Sequence, residues 1–188
     1  MADILASIDD LAAQTGLPAA DPRLVSALSR ASGRFIADVG HKRGDGTFCL
    51  LREEADAVDL NGTGTDTLLL PSAPVVGNVG VAIAGVSAGA NAYTGLDRRA
   101  GILRRAQGWP EGLGNITITY SHGYLPGQVP ADIQSAVLER AAMLATTQAH
   151  VSQESGLSQS VSNFAQATVG VTQEWADAVN RYSLGVRS

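Results

Sequence analysis

The chain has a single cysteine, Cys49, so it can form no internal disulfide. Set between Phe48 and Leu50, that cysteine suits a small buried hydrophobe. Aromatic residues are scarce, at 5%, which leaves a core to be built mainly from Ala, Val, Leu and Ile. No apolar run approaches the ~20 residues that a membrane-spanning helix needs. The acidic N-terminus lacks the continuous apolar stretch of a signal peptide, and the reading is a soluble protein made in a reducing cytoplasm. Basic charge is also short: 13 Lys and Arg stand against 18 Asp and Glu, for a formal net charge of −5. That balance argues against a protein that holds nucleic acid by a basic surface. Arg98, Arg99, Arg104 and Arg105 form the one local basic cluster. They read as solvated strand edges or a subunit contact, with a duplex-facing patch as the alternative.

What is present points to a folded domain. Apolar residues make up 45% of 188, enough for a core, and a chain of this length buries roughly 70% of its unfolded surface. One domain, or one domain with an inserted subdomain, is expected. The 21 glycines exceed the average share of about 7%. Glycine-rich strands around a small-residue core fit a thin subunit that gains burial from neighbours, or a plain small-residue core.

Periodicity divides the chain. Asp3 to Thr15 reads as a short amphipathic helix with Ile4, Leu5, Ile8, Leu11 and Ala12 on one face, stopped by Gly16 and Pro18. Asp21-Pro22 is a helix start, an N-cap acceptor followed by proline at the first helical position. Leu24, Val25, Leu28, Ala31, Phe35, Ile36 and Val39 form its apolar stripe, and Gly40 its stop. Residues 41–121 then read as a β-rich insertion. Strand-prone runs lie at Thr47–Arg52, Ala55–Leu60, Thr67–Leu70, Val75–Ile83 and Gly101–Arg105, separated by glycine, asparagine and proline turns. A second long helix is predicted from about Ala131 to Ala149. Val151–Asn163 reads as a Ser/Gln-rich linker, and 164–188 as a C-terminal arm. In that arm Thr172 caps a helix with Trp175, Val179 and Tyr182 on one face, a candidate interface with a portal or a second subunit. The alternative is that Trp175 caps the subunit's own core.

Catalytic motifs find no footing in these residues. Asn61-Gly-Thr-Gly-Thr lacks the Gly-Lys-Ser/Thr end of a phosphate loop and reads as a hairpin turn. His41, His122 and His150 show no metal-ligand spacing. Ser121 and His122 are neighbours on a strand, so their side chains point to opposite faces and cannot act as nucleophile and base. The acid pairs Asp9-Asp10 and Glu53-Glu54 suit solvated edges. No catalytic residue, metal or cofactor is assigned, and the protein is read as a non-enzyme.

The most informative segment runs from Trp109 to Arg140, WPEGLGNITITYSHGYLPGQVPADIQSAVLER. Ile116, Ile118 and Tyr120 alternate with Thr117, Thr119 and Ser121, as in a half-buried strand. Gly123, Pro126, Gly127 and Pro130 stop it. Ile133, Val137, Arg140, Ala141 and Leu144 then repeat at helical spacing. A WP turn, a strand ending in TY-x-x-GY and a VP-x-DI helix start, in this order, resemble the head–tail connector (adaptor) proteins of tailed phages. So does Thr67-Leu68-Leu69-Leu70-Pro71 followed by Pro74-Val75-Val76, and the likeness covers roughly Asp21 to Tyr182. The run Gly77–Ala92 and the tail after Ser152 carry no motif of the family.

The resemblance implies an α+β, mainly helical connector fold, with two long packed helices, terminal helices and a β-rich insertion in one domain. It implies a structural virion protein, a ring of about twelve copies beneath the portal that extends the DNA channel and joins head to tail. The partners implied are the portal protein, a head-closure (stopper) or tail protein, other copies in the ring and passing DNA without sequence-specific binding, with no membrane and no cofactor. The place implied is the head–tail junction of a virion assembled in the host cytoplasm. A tail-completion or terminator protein, or a small α+β ligand-binding or hydrolytic domain, are the competing readings.

Overall fold

In the computed structural model, residues 3–89, 92–153 and 172–184 are described, 147–153 by their backbone alone. The chain forms two compact units. One consists of the described residues of Met1–Phe35 and Val129–Arg181, the other of those of Ile36–Gln128 and Tyr182–Ser188.

The first unit is helical. α1 (Ile8–Thr15) begins at Ser7, whose hydroxyl accepts from the Asp9 amide, and ends on left-handed Gly16. α2 (Pro22–Val39) begins where the Asp21-Pro22 pair predicts, with the Asp21 carboxylate accepting the Arg23 amide at 2.9 Å. Leu24, Ala27, Leu28, Ala31 and Phe35 are its buried residues in this unit. α3 (Ala131–Gln153) buries Ile133, Ala136, Val137, Ala141 and Ala145, and α1 packs against it. α4 (Gln173–Tyr182) is capped by Thr172, whose Oγ1 accepts from the Trp175 amide. Ser32 is fully buried, and its hydroxyl oxygen accepts a hydrogen bond from the Leu5 amide at 3.2 Å.

The second unit is two antiparallel sheets around one core. Its strands are β1 (Glu53–Gly62), β2 (Thr67–Leu69), β3 (Val75–Ile83), β4 (Val86–Ser87), β5 (Gly95–Asp97), β6 (Ile102–Arg104) and β7 (Gly112–His122). The larger sheet has the order β1-β7-β3-β4, the smaller β2-β6-β5. In the larger, Val58, Ile118 and Val81 form one register row, and Leu60, Ile116 and Ile83 the next. From the smaller come Leu68 and Leu103, also opposite each other. Val58, Val81, Ile116, Ile118, Leu68 and Leu103, with Leu70, Val75, Tyr120 and Trp109, belong to one buried cluster, and half-buried Leu60 and Ile83 pack against it.

The mainly helical fold class is therefore corrected. Among the described residues there are four helices and seven antiparallel strands in two sheets, a β-rich α+β fold. Strands were undercounted because β4 and β5 lie in or beside the glycine- and alanine-rich run, where no alternation shows. Glycines likewise hide the first residues of β7, Gly112 to Asn115. Thr47–Arg52 is not a strand; it makes only the isolated bridges Lys42–Phe48 and Leu51–Tyr124, yet buries Cys49 and Leu50. The first three residues of the expected linker, Val151–Gln153, belong to α3, and 154–163 lie outside the described residues.

Two glycines allow the close backbone approaches at the WP and GY segments. A Cβ on Gly62 would meet the Pro110 carbonyl oxygen at 1.6 Å, so the WP turn can close on β1 only at a glycine. Gly123 has φ of +85° and would drive a Cβ to 2.3 Å from the Leu51 carbonyl oxygen.

The alternation on β7 gives a direct test. Ile118→Ala should cost ~2–5 kcal/mol, as buried large-to-small changes do. Thr119→Ala, one residue on and exposed, should cost under about 1 kcal/mol. Urea unfolding of both variants measures the difference.

Candidate functional site

Titratable side chains gather in the second unit around the end of β7, and each is engaged structurally. The Ser121 hydroxyl donates to Glu54 at 2.7 Å, whereas His122 Nε2 lies 3.1 Å from the Asp56 carboxylate. The two neighbours thus have different partners on opposite faces of the sheet. Asp56 also accepts the Gly44 amide at 2.8 Å. Cys49 is fully buried, 3.9 Å from the Ser72 hydroxyl, and burial raises its pKa, which keeps it a thiol rather than a nucleophilic thiolate. Tyr120 is likewise pushed up by burial. No group of three His, Cys, Asp or Glu residues able to hold a metal occurs among the described residues.

His41 is the best-defined member. The Ala73 amide donates to its Nδ1 at 3.3 Å, so Nδ1 carries no proton and Nε2–H donates to the Tyr182 carbonyl at 2.8 Å. Tyr182 belongs to the same unit as His41, and its ring meets Tyr124 edge-on at 6.4 Å. Burial holds the His41 pKa below its ordinary value, with the Tyr182 carbonyl opposing and His122 reinforcing the effect. Sequence spacing carried no sign of this role, since the partners lie far along the chain.

Of the candidate interface residues, Trp175 is buried within its own unit. It packs edge-on against Phe35 at 5.0 Å, with the Arg140 guanidinium 5.0 Å from its ring centre. This is the own-core arrangement weighed as the alternative. Val179 and Tyr182 are half-buried, and Glu174 and Asp177 are exposed. Arg181 pairs with Asp132 at 2.6 Å.

The four arginines have different local settings. Arg98 and Arg99 sit in the turn between β5 and β6, and the Arg98 guanidinium donates to the Gly77 carbonyl at 2.6 Å. Arg104 is exposed on β6. The next residue, Arg105, is half-buried and lies over the Trp109 ring at 5.8 Å. Arg104 shares the outer face of the small sheet with a row the sequence did not reveal, Leu69 opposite Ile102 opposite Asp97. Leu69 is 56% exposed while Leu68 and Leu70 are buried. Three leucines in a row erase the alternation that would have marked the middle one as outward.

No protein-family model and no curated protein matches the chain. Solved structures do. A chain in the neck of the empty gene transfer agent (GTA) particle, computed with C6 symmetry, matches with TM-score 0.56 and 18% identity. That match covers 98% of this chain and 91% of the other. A chain in the virion of the native GTA particle matches with TM-score 0.54 and 17% identity, over 98% and 91%. The neck of the native particle, computed with C12 symmetry, gives 0.51 and 18% over 100% and 97%. The fold is shared with particle-neck chains. Both units fall within the match, since it spans nearly the whole chain.

Two outcomes are expected. His41 should titrate below about 6.5 as the Nε2–H tautomer in a nitrogen-detected NMR titration. The unfolded chain then takes up its proton first, so the stability contributed by neutral His41 is complete above about 6.5 and is lost as pH falls through the folded-state value. Trp175→Ala should destabilise the isolated chain by ~3–5 kcal/mol in urea unfolding, because the indole belongs to the unit's own core.

Proposed function

We propose that the chain is a structural neck protein of a tailed phage-like particle, an adaptor whose copies form a ring beneath the portal, extend the DNA channel and join head to tail. The observation that carries this reading is the match of nearly the full chain to neck chains of GTA particles, in structures computed with C6 and C12 symmetry. The order of the connector-like motifs supports it, and twelve copies is the ring size we favour. The side chains around β7 support a non-enzymatic role, since Ser121, His122, His41 and Cys49 are each engaged in holding the fold.

A ring of identical copies needs two different complementary surfaces on each subunit, and a chain with both helical and β-sheet faces can supply them. A channel wall without dense cationic charge lets DNA pass, because tight phosphate neutralisation is what makes binding strong and salt-dependent. The portal and a head-closure or tail protein are the proposed neighbours. The outer side of α4, with Val179 and Tyr182 at its margin, is the proposed portal contact, and Trp175 anchors the helix from beneath.

Mixing the protein with the portal of the same particle and imaging by negative-stain electron microscopy tests this. A ring of copies on one pole of the portal is expected. Portals that stay bare at high adaptor concentration would overturn the reading.

A further inference from the structure

Resting on the ring reading, we propose that the outer face of the β2-β6-β5 sheet is one half of the contact between neighbouring copies, and that the other half is the acidic start of α1 on the adjacent copy. The first surface has an apolar centre and a basic margin. Leu69, 56% exposed, stands opposite half-buried Ile102, and Arg104 lies two residues along β6 on the same face. Arg99 is exposed in the adjoining turn, and neither it nor Arg104 has an ion pair among the described residues. Asp97 stands in the same row, opposite Ile102, with its carboxylate accepting the Arg99 and Ala100 amides, so Arg99 and Arg104 are the charges this face presents, in a chain whose net charge is −5.

The second surface has the complementary character. Ile4, 44% exposed, precedes α1, and Asp9 and Asp10 are exposed in its first turn, again without an ion pair among the described residues. α1 contains no basic residue. Two such faces fit a head-to-tail contact. Pairing the basic face with itself would set Arg104 against the arginines of its twin, whereas a closed ring requires two unlike surfaces. An apolar centre with a charged rim is also the anatomy of a protein contact. A DNA backbone would engage the arginines and leave Leu69 and Ile102 with nothing to bury against.

Single-cysteine insertions at two exposed positions test the pairing without disturbing the core. Leu69→Cys and Ile4→Cys chains are prepared separately, mixed at high concentration, oxidised mildly and analysed by mass spectrometry of linked peptides. The mixed dimer should exceed both self-linked dimers. Arg99→Glu and Arg104→Glu together in the Leu69→Cys chain should cut its yield severalfold. Asp9→Lys and Asp10→Lys in the Ile4→Cys chain should then restore it. Self-linked dimers alone, or a mixed yield indifferent to charge reversal, would overturn the proposal. So would the absence of a mixed dimer together with salt-sensitive retention on duplex DNA that the two Glu substitutions abolish. Wild-type rings on the portal without the mixed cross-link would refute this contact and leave the ring intact. The cross-link without such rings would do the reverse.

Discussion

Strand β7 is paired on both edges, with β1 on one side and β3 on the other, and the second unit is arranged around that double pairing. Its inward residues Ile116, Ile118 and Tyr120 are almost wholly buried, so a slip of one residue would turn them to solvent and bring threonines inward. The strand is held at both ends by close backbone approaches. Before it, the Trp109 amide donates to the Thr65 carbonyl and the Trp109 carbonyl accepts the Gly64 amide. After it, the Gly123 amide donates to the Pro74 carbonyl. These bonds give the WP and TYSHGY segments a mechanical meaning: they set where the central strand enters and leaves its sheet.

The parts of the fold that were legible are those written in local chemistry. Asp21-Pro22, Thr172 and Gly16 mark helix ends by capping, which depends on neighbours within a few residues. Val75–Ile83 was readable as a strand from its β-branched run, and it is β3. What stayed hidden depends on distant partners. The Leu68-Leu69-Leu70 run conceals which leucine faces outward until β6 is beside it. The pairing of Gly95–Asp97 with β6 gives a strand to a segment with no period of its own. The strand content was underestimated for the same reason, and with it the balance between helix and sheet.

The candidate sites divide along a similar line. Sequence reasoning separated Ser121 from His122 by simple alternation, and their hydrogen bonds bear that separation out. It grouped four arginines by proximity along the chain, whereas the turn and the strand distribute them: Arg98 to a carbonyl, Arg105 to an indole, Arg99 and Arg104 to solvent. The His41–Tyr182 contact spans almost the whole second unit's sequence and has no local signature. Of the buried polar residues, Ser32, His41 and Ser72 bind backbone groups and His122 binds the Asp56 carboxylate.

As proposed above, the chain is a component of the head–tail junction. Cryo-electron microscopy of purified particles that contain it tests this most directly. The account predicts a ring of density beneath the portal into which both the helical unit and the two-sheet unit fit, repeated around the channel. Particles that contain the chain but whose junction density is fully explained by other chains would contradict it.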